Sequence, residues 1–327
     1  DRDGSFNSGL LPKRSTSLGD GLDNKILALY GLGMSYSDIR AHLAEMYGVD
    51  VSEATLSAVT DKVLDELSQW QSRQLQSVYP FIWMDALHYK VRHEGRVVTR
   101  AMYTVLALRL DGHKELLGLY ISESEGARFW LGVLSDLKAR GVEDIFLISI
   151  DGLKGFPQAI ESVFPQTRIQ LCLVHQMRNC LRFVPDKDRK AVSKDLKLIY
   201  TAGKREDAKL AFESFCNTWG QRYPMIVKSW TDHWERLMEM FDYPLDIRRI
   251  IYTTNPVEGF HRQLRRVTKT KGAFVSDQAL LKLLYLAYKN IEVKWKITNQ
   301  KWGLTLQQLY LLFPDRLPPI DKLDSGG

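Results

Sequence analysis

Asp85 stands in the middle of the apolar run Phe81-Ile82-Trp83-Met84-Asp85-Ala86-Leu87. An ionised carboxylate in such a run is costly unless it is paired, hydrogen-bonded or bound to a cation. A turn role, the bland explanation of many aspartates, is not open to it in mid-strand. Asp151 directly follows the continuous apolar run Ile145 to Ile150 and precedes Gly152. That is the carboxyl end of a strand buried on both faces, where open sheets place ligand-binding groups. Asp-Gly is also a common turn pair, so a turn role competes there. Glu258 follows Asn255-Pro256-Val257, a good helix start with Asn as N-cap and Pro in first position. On local grounds it reads as a capping glutamate. Arg262 and Arg265 follow on the same helix face, with Arg266 adjacent. They raise the second reading, a helix that sets an acid beside a phosphate backbone.

Three carboxylates suit phosphodiester chemistry. Attack on a phosphodiester needs an activated water or 3′-hydroxyl and a stabilised leaving oxygen, which two Mg²⁺ or Mn²⁺ ions roughly 4 Å apart supply. Mg²⁺ favours oxygen ligands and keeps some of its water, so a few carboxylates suffice. Cys172-Leu173-Val174-His175 is a two-ligand pattern, whereas zinc wants four, which Cys180 and His233 would have to complete. Two other readings of Cys172 and His175 stand beside it: active-site support, touching phosphate or positioning an acid, and a core histidine beside a buried cysteine. No Walker-type glycine-lysine loop is present, so a nucleotide cofactor is not expected. Asp151-Gly152-Leu153-Lys154-Gly155 is too short a phosphate-turn pattern to be specific.

The elements that must position these residues follow from periodicity. Phe81 to Val91, Val97 to Leu110 and Glu115 to Ile121 are β-prone runs joined by His93-Glu94-Gly95 and Asp111-Gly112-His113, short connections of hairpin type. A helix from Ala127 to Arg140, a strand from Ile145 to Ile150, a brief helix from Pro157 to Val163 and a strand from Arg168 to Val174 come next. This is the order of an α/β, RNase H-like mixed sheet flanked by helices. Residues 184–252 then show only helical patterns, at Ala191 to Tyr200, Glu206 to Arg222 and Met225 to Phe241. Trp230 and Trp234 in this block read as core, or as platforms for a displaced base.

Before the strands, residues 23–76 read as helical. A helix from Asn24 to Leu32 leads to one capped by Ser35 and stopped at Gly48, then to a third capped by Ser52. The last two form a helix-turn-helix pattern. The expected segments are thus an arm or linker (1–22), the helix-turn-helix region (23–76), the first part of the core (77–183), the helical insertion (184–252), and the Glu258 helix with basic C-terminal helices and tail (253–327). The chain opens on Asp rather than Met, so a preceding segment is expected.

Charge is unevenly spread over a total of +6. Residues 20–68 hold nine acids against three bases, while residues 259–302 hold ten Lys and Arg against two acids. The basic stretch, interleaved with aromatics, suits a polyanion such as DNA or forms a solvated helix face. Lys154, Arg262, Arg265, Arg266, Lys269 and Lys271 are the candidates for phosphate contact. The third N-terminal helix, with Glu53, Asp61, Asp65 and Glu66, grips phosphate poorly and reads better as a packing or partner surface. No run is apolar enough to span a bilayer, and three cysteines, an odd count, favour a reducing cytoplasm.

Ile150-Asp151-Gly152-Leu153-Lys154-Gly155-Phe156-Pro157, Leu171-Cys172-Leu173-Val174-His175, Tyr252-Thr253-Thr254-Asn255-Pro256-Val257-Glu258 and Arg262-Gln263-Leu264-Arg265 together resemble the Mutator-like bacterial insertion-sequence transposases. The resemblance runs from about residue 20 to 316. It implies an RNase H-like domain interrupted by an all-helical insertion, with Asp85, Asp151 and Glu258 as catalytic acids and metal ligands. Cys172 and His175 fall on a Cys-x-x-His feature, and Arg265 on the basic residue after the Glu. It further implies a homodimer or higher assembly on DNA, holding terminal inverted repeats and target DNA in a bacterial, nucleoid-associated setting. Copy-out, circle-forming transposition is part of the same implication. Two positions depart from the family pattern, Gly259 and His261, where Ser and Asn are usual. Gly259 costs a helix about 1 kcal/mol, which close backbone approach to DNA would justify. A nuclease without strand transfer, or a domesticated DNA-binding regulator, would share many of these features.

Overall fold

A computed structural model describes residues 20–123, 126–252, 256–295 and 301–317. These divide into two compact units that interleave along the chain. One takes the described residues up to Arg73, with His88–Arg100 and Phe260–Trp295; the other takes Gln74–Leu87, Ala101–Gly259 and residues 301–317. The N-terminal helices bury their apolar faces against helices from near the other end of the chain.

The second unit is built on a five-stranded sheet in the order β3-β2-β1-β4-β5. The strands are β1 (Val78–His93), β2 (Arg96–Leu108), β3 (Lys114–Ser122), β4 (Asp144–Ile150) and β5 (Arg168–Leu171). β2 and β3 pair antiparallel, whereas β1, β4 and β5 run parallel, so the sheet is mixed. The β1–β2 turn is Glu94-Gly95, both at positive φ (48° and 76°), the tight primed geometry that a twisted hairpin prefers. Helices α5 (Ala127–Ala139) and α6 (Phe156–Val163) pack on each other. Trp130 of α5 stacks on Phe156 at 3.9 Å and meets Tyr103 of β2 edge-on, which seals the core beside β4.

β5 ends at Leu171, three residues short of the expected Val174, and the chain turns at once into helix α7 (Leu173–Leu181). The apolar letters Leu171 to Val174 fit a strand equally well. What decides is the burial of Leu173, Gln176 and Cys180 at helical spacing. The block that follows contains α8 (Asp186–Tyr200), α9 (Arg205–Trp219), α10 (Pro224–Met238), a 3-10 turn (Glu239–Asp242) and α11 (Leu245–Tyr252). Gln170, buried in β5, ties this block to the sheet. Its amide NH₂ donates to the Leu237 carbonyl (3.0 Å), and its amide oxygen accepts from the Met240 N–H (2.9 Å). Helix α12 (Pro256–Thr268) begins in this unit and carries on into the other.

In the first unit, α1 (Asp20–Gly31) packs on α13 (Asp277–Glu292). Helix α2 (Tyr36–Tyr47) starts at a Ser35–Asp38 capping box and stops at left-handed Gly48. The expected third helix is two, α3 (Glu53–Asp61) and α4 (Val63–Ser72), broken at Lys62, whose ammonium reaches Asp23 at 2.6 Å. The acidic residues of this region have an internal use. Asp61 pairs with buried Lys282 of α13 at 2.7 Å, and Glu66 accepts from the Tyr285 hydroxyl at 2.8 Å and faces Lys289 at 3.4 Å. Part of the charge asymmetry read from the sequence is thus neutralised by packing. Among the described residues, no helix is long and apolar enough to cross a membrane.

Candidate active site

Trp83 pairs with Ser149 across the parallel β1–β4 ladder. Asp85 and Asp151 each follow two residues later, Asp85 still inside β1 and Asp151 just past the end of β4. Asp85 is 6% exposed, Asp151 lies at the strand end where β4 gives way to Gly152, and Thr104 of β2 donates its hydroxyl to the Asp85 carbonyl. A strand interior and a strand end thereby offer two carboxylates on one rim of the sheet.

His175 stands between them. Because α7 starts directly after β5, its first turn brings the imidazole over the strand ends. Nδ1 lies 2.6 Å from Asp151 Oδ1, off the line of a good hydrogen bond, and Nε2 lies 3.6 Å from Asp85 Oδ1. Burial works to lower the pKa of His175, but the Asp151 carboxylate and Cys172 outweigh it and raise it to about 11. Arg178, one turn further along α7, approaches His175 Nε2 at 3.2 Å and donates to Glu258 Oε1 at 3.0 Å. A chain of contacts therefore runs Asp85–His175–Arg178–Glu258, with Asp151 on the other edge of the ring.

Ligand atoms of Asp151, Cys172 and His175 all lie within 4.8 Å of one another. Cys180 and His233 do not join this group. Burial pushes the Cys180 thiol up to about 11, and His233 lines a cleft of about 210 Å³ together with Lys154 and Arg236. The four-ligand zinc option is thereby set aside. The hard oxygen donors of Asp85, Asp151 and Glu258 fit Mg²⁺ or Mn²⁺, which take carboxylates and retain water.

The other expected residues fall in two places. Lys154 lines the small cleft just described, whereas Arg262, Arg265, Arg266, Lys269 and Lys271 line a cleft of about 640 Å³ in the first unit. Trp230 is fully buried and stacks near Phe212, and Trp234 stacks on the same ring at 5.1 Å, so both pack the helical block. Asn255, the expected cap before Glu258, lies outside the described residues. Gly259 is exposed, and a Cβ there would meet nothing within 4 Å, whereas His261 is buried. Arg178 escaped the sequence reading. Its signal was the spacing of three from His175, visible only once residues 173–181 are taken as a helix.

Comparison with known proteins agrees with the sequence resemblance. Residues 1–298 match the family described as "Transposase, Mutator family". The chain is 44% identical to the transposase for insertion sequence element ISRM3 of Rhizobium meliloti, over 97% of this chain and 79% of that protein. It is 40% identical to a probable insertion-sequence transposase of Corynebacterium diphtheriae, over 97% of this chain and 98% of that one. Among solved structures, a cryoEM structure of a simian T-cell lymphotropic virus intasome in complex with PP2A regulatory subunit B56 gamma aligns at 13% identity. It covers 50% of this chain and 69% of that one, at a TM-score of 0.23, too low to bear on the fold.

Proposed function

The chain belongs to the Mutator family of transposases, and from that premise we propose that it cleaves DNA at the terminal inverted repeats of a bacterial insertion sequence and transfers the freed 3′ ends to target DNA. The observation that carries the reading is that one imidazole, His175, lies against both Asp85 and Asp151 and is linked through Arg178 to Glu258. An RNase H-like sheet with a helical insertion is the fold that goes with it. The strand order β3-β2-β1-β4-β5 supports that fold.

Asp85, Asp151 and Glu258 are the metal ligands in this proposal. Two Mg²⁺ or Mn²⁺ ions bound there would activate the attacking oxygen and neutralise the leaving one, so no protein nucleophile is required. Asp85, buried and fixed in mid-strand, gives the site its rigid reference point. His175 orients the two aspartates, the part that histidines and carboxylates around a ligand commonly play. Arg178 holds Glu258 toward them. Water is the nucleophile of the first step and the 3′-hydroxyl it liberates is that of the second. Lys154 and the basic residues of α12 and the loop after it contact phosphates. The protein works as a homodimer or higher assembly on DNA, in the bacterial cytoplasm at the nucleoid.

Incubation with end-labelled terminal-repeat DNA and Mg²⁺ tests the proposal. Joined products are expected. Cleavage without joining would make the protein a nuclease, and bound but intact DNA would make it a regulator.

A further inference from the structure

β1 and β2 outrun the sheet. Their far ends, His88 to Arg100, form a two-stranded ribbon that belongs to the first unit, closed by the Glu94-Gly95 turn. The ribbon is anchored there by its inward face. Tyr89 meets Phe274 edge-on at 5.8 Å and Val91 is buried beside it. The backbone of Phe274 makes an isolated bridge to Val91, donating to the Lys90 carbonyl and accepting from the Arg92 N–H, both at 2.8 Å. At the base, Arg100 pairs with Asp277 of α13 at 3.4 Å.

The outward face is another matter. Strand alternation turns His88, Lys90 and Arg92 to solvent, spaced about 7 Å apart in a line. His93 and Arg96 flank the turn, also exposed, and Glu94 is the ribbon's only acid. Lys90, Arg92 and Arg96 make no ion pair among the described residues. His88 and Lys90 also form one wall of the cleft of about 640 Å³ whose lining includes Arg262, Arg265, Arg266, Lys269 and Lys271, with no acid in its lining. Cations collected within a Debye length of about 10 Å repel one another, and a polyanion relieves that repulsion. A two-stranded ribbon is also one of the two protein elements that the DNA major groove admits.

We propose that the ribbon His88–Arg100 is a DNA-docking arm, in which Lys90, Arg92 and Arg96 contact the phosphate backbone of duplex DNA that also enters the adjoining basic cleft. The inference rests on the reading of this chain as a DNA-acting transposase and adds to it residues from β1 and β2, far in sequence from the basic helices.

The test is fluorescence anisotropy of a labelled duplex of unrelated sequence, titrated at several salt concentrations. The variant Lys90→Ser/Arg92→Ser/Arg96→Ser should bind about 100-fold more weakly near 0.1 M salt and lower the log–log salt slope by about 3, one unit per lost contact. The charge-preserving variant Lys90→Arg/Arg92→Lys/Arg96→Lys should bind like the wild type, which separates lost charge from lost folding. Unchanged affinity and slope in the serine variant would overturn the docking arm while leaving the cleavage proposal to its own assay. Equal loss in the charge-preserving variant would overturn it too. A wild-type chain that fails to bind duplex DNA at low salt would overturn both.

Discussion

Around His175 each charged group has a designated partner, whereas along the ribbon Lys90, Arg92 and Arg96 have none among the described residues. In the first region Asp85 is buried, Asp151 is held at a strand end, and a single imidazole touches both. In the second the cations are exposed, repeated and of one sign. The contrast teaches what kind of dependence each region should show. A site made of singular, positioned groups loses its chemistry when one atom changes. A surface made of interchangeable charges loses affinity in small, additive steps that salt can mimic.

The contrast can be broken or sharpened by substitution. Asp85→Asn should lower DNA cleavage by at least ~100-fold, the upper range for groups that merely support a metal ligand. Its affinity for DNA should stay within about twofold in a binding titration; cleavage at the wild-type rate would remove Asp85 from the site. His175→Ala should cost about 10- to 100-fold in cleavage, again with little change in binding. A loss confined to binding would move His175 to the DNA-contact class. Arg266→Ala should do the reverse, lowering the salt slope by about 1 and affinity near 0.1 M salt by somewhat under tenfold. An Arg266→Ala protein that binds normally but cleaves poorly would blur the division between the regions. Gly259→Ala should raise stability by about 1 kcal/mol in thermal melts, because the added Cβ meets nothing and alanine favours helix. Lost cleavage in that more stable protein would place DNA against the helix backbone at this position.

Legibility in the sequence followed the range of the forces involved. Ser35, Gly48 and the Glu94-Gly95 turn act within a few residues, and each does what its local pattern predicts. Asp85 was readable because a charge inside an apolar run has few innocent explanations. The extent of β5 was not, since Leu171 to Val174 satisfies strand and helix alike until the partners of Gln170 and Gln176 are known. The break at Lys62 has no glycine or proline to announce it and coincides with a long-range pair to Asp23. The same holds for the interleaved units. Tyr285–Glu66 and Lys282–Asp61 join residues far apart in the chain, and no window of sequence contains both partners. The basic character of α12 was plain, yet its neighbours His88 and Lys90 were hidden in what reads as an ordinary strand.

Gln170 carries a consequence for the tempo of the molecule's internal motions. The Met240 amide sits in a four-residue 3-10 turn at the end of α10, the sort of place where backbone protons exchange with solvent quickly through local fraying. Here that N–H is donated to a buried side chain rooted in the sheet, which should slow its exchange. In a deuterium-exchange experiment the Met240 amide should keep time with Ile148 and Ile150 of β4, the strand beside β5, rather than with its own turn. The helical block and the sheet would then share one slow clock, set by a single uncharged amide.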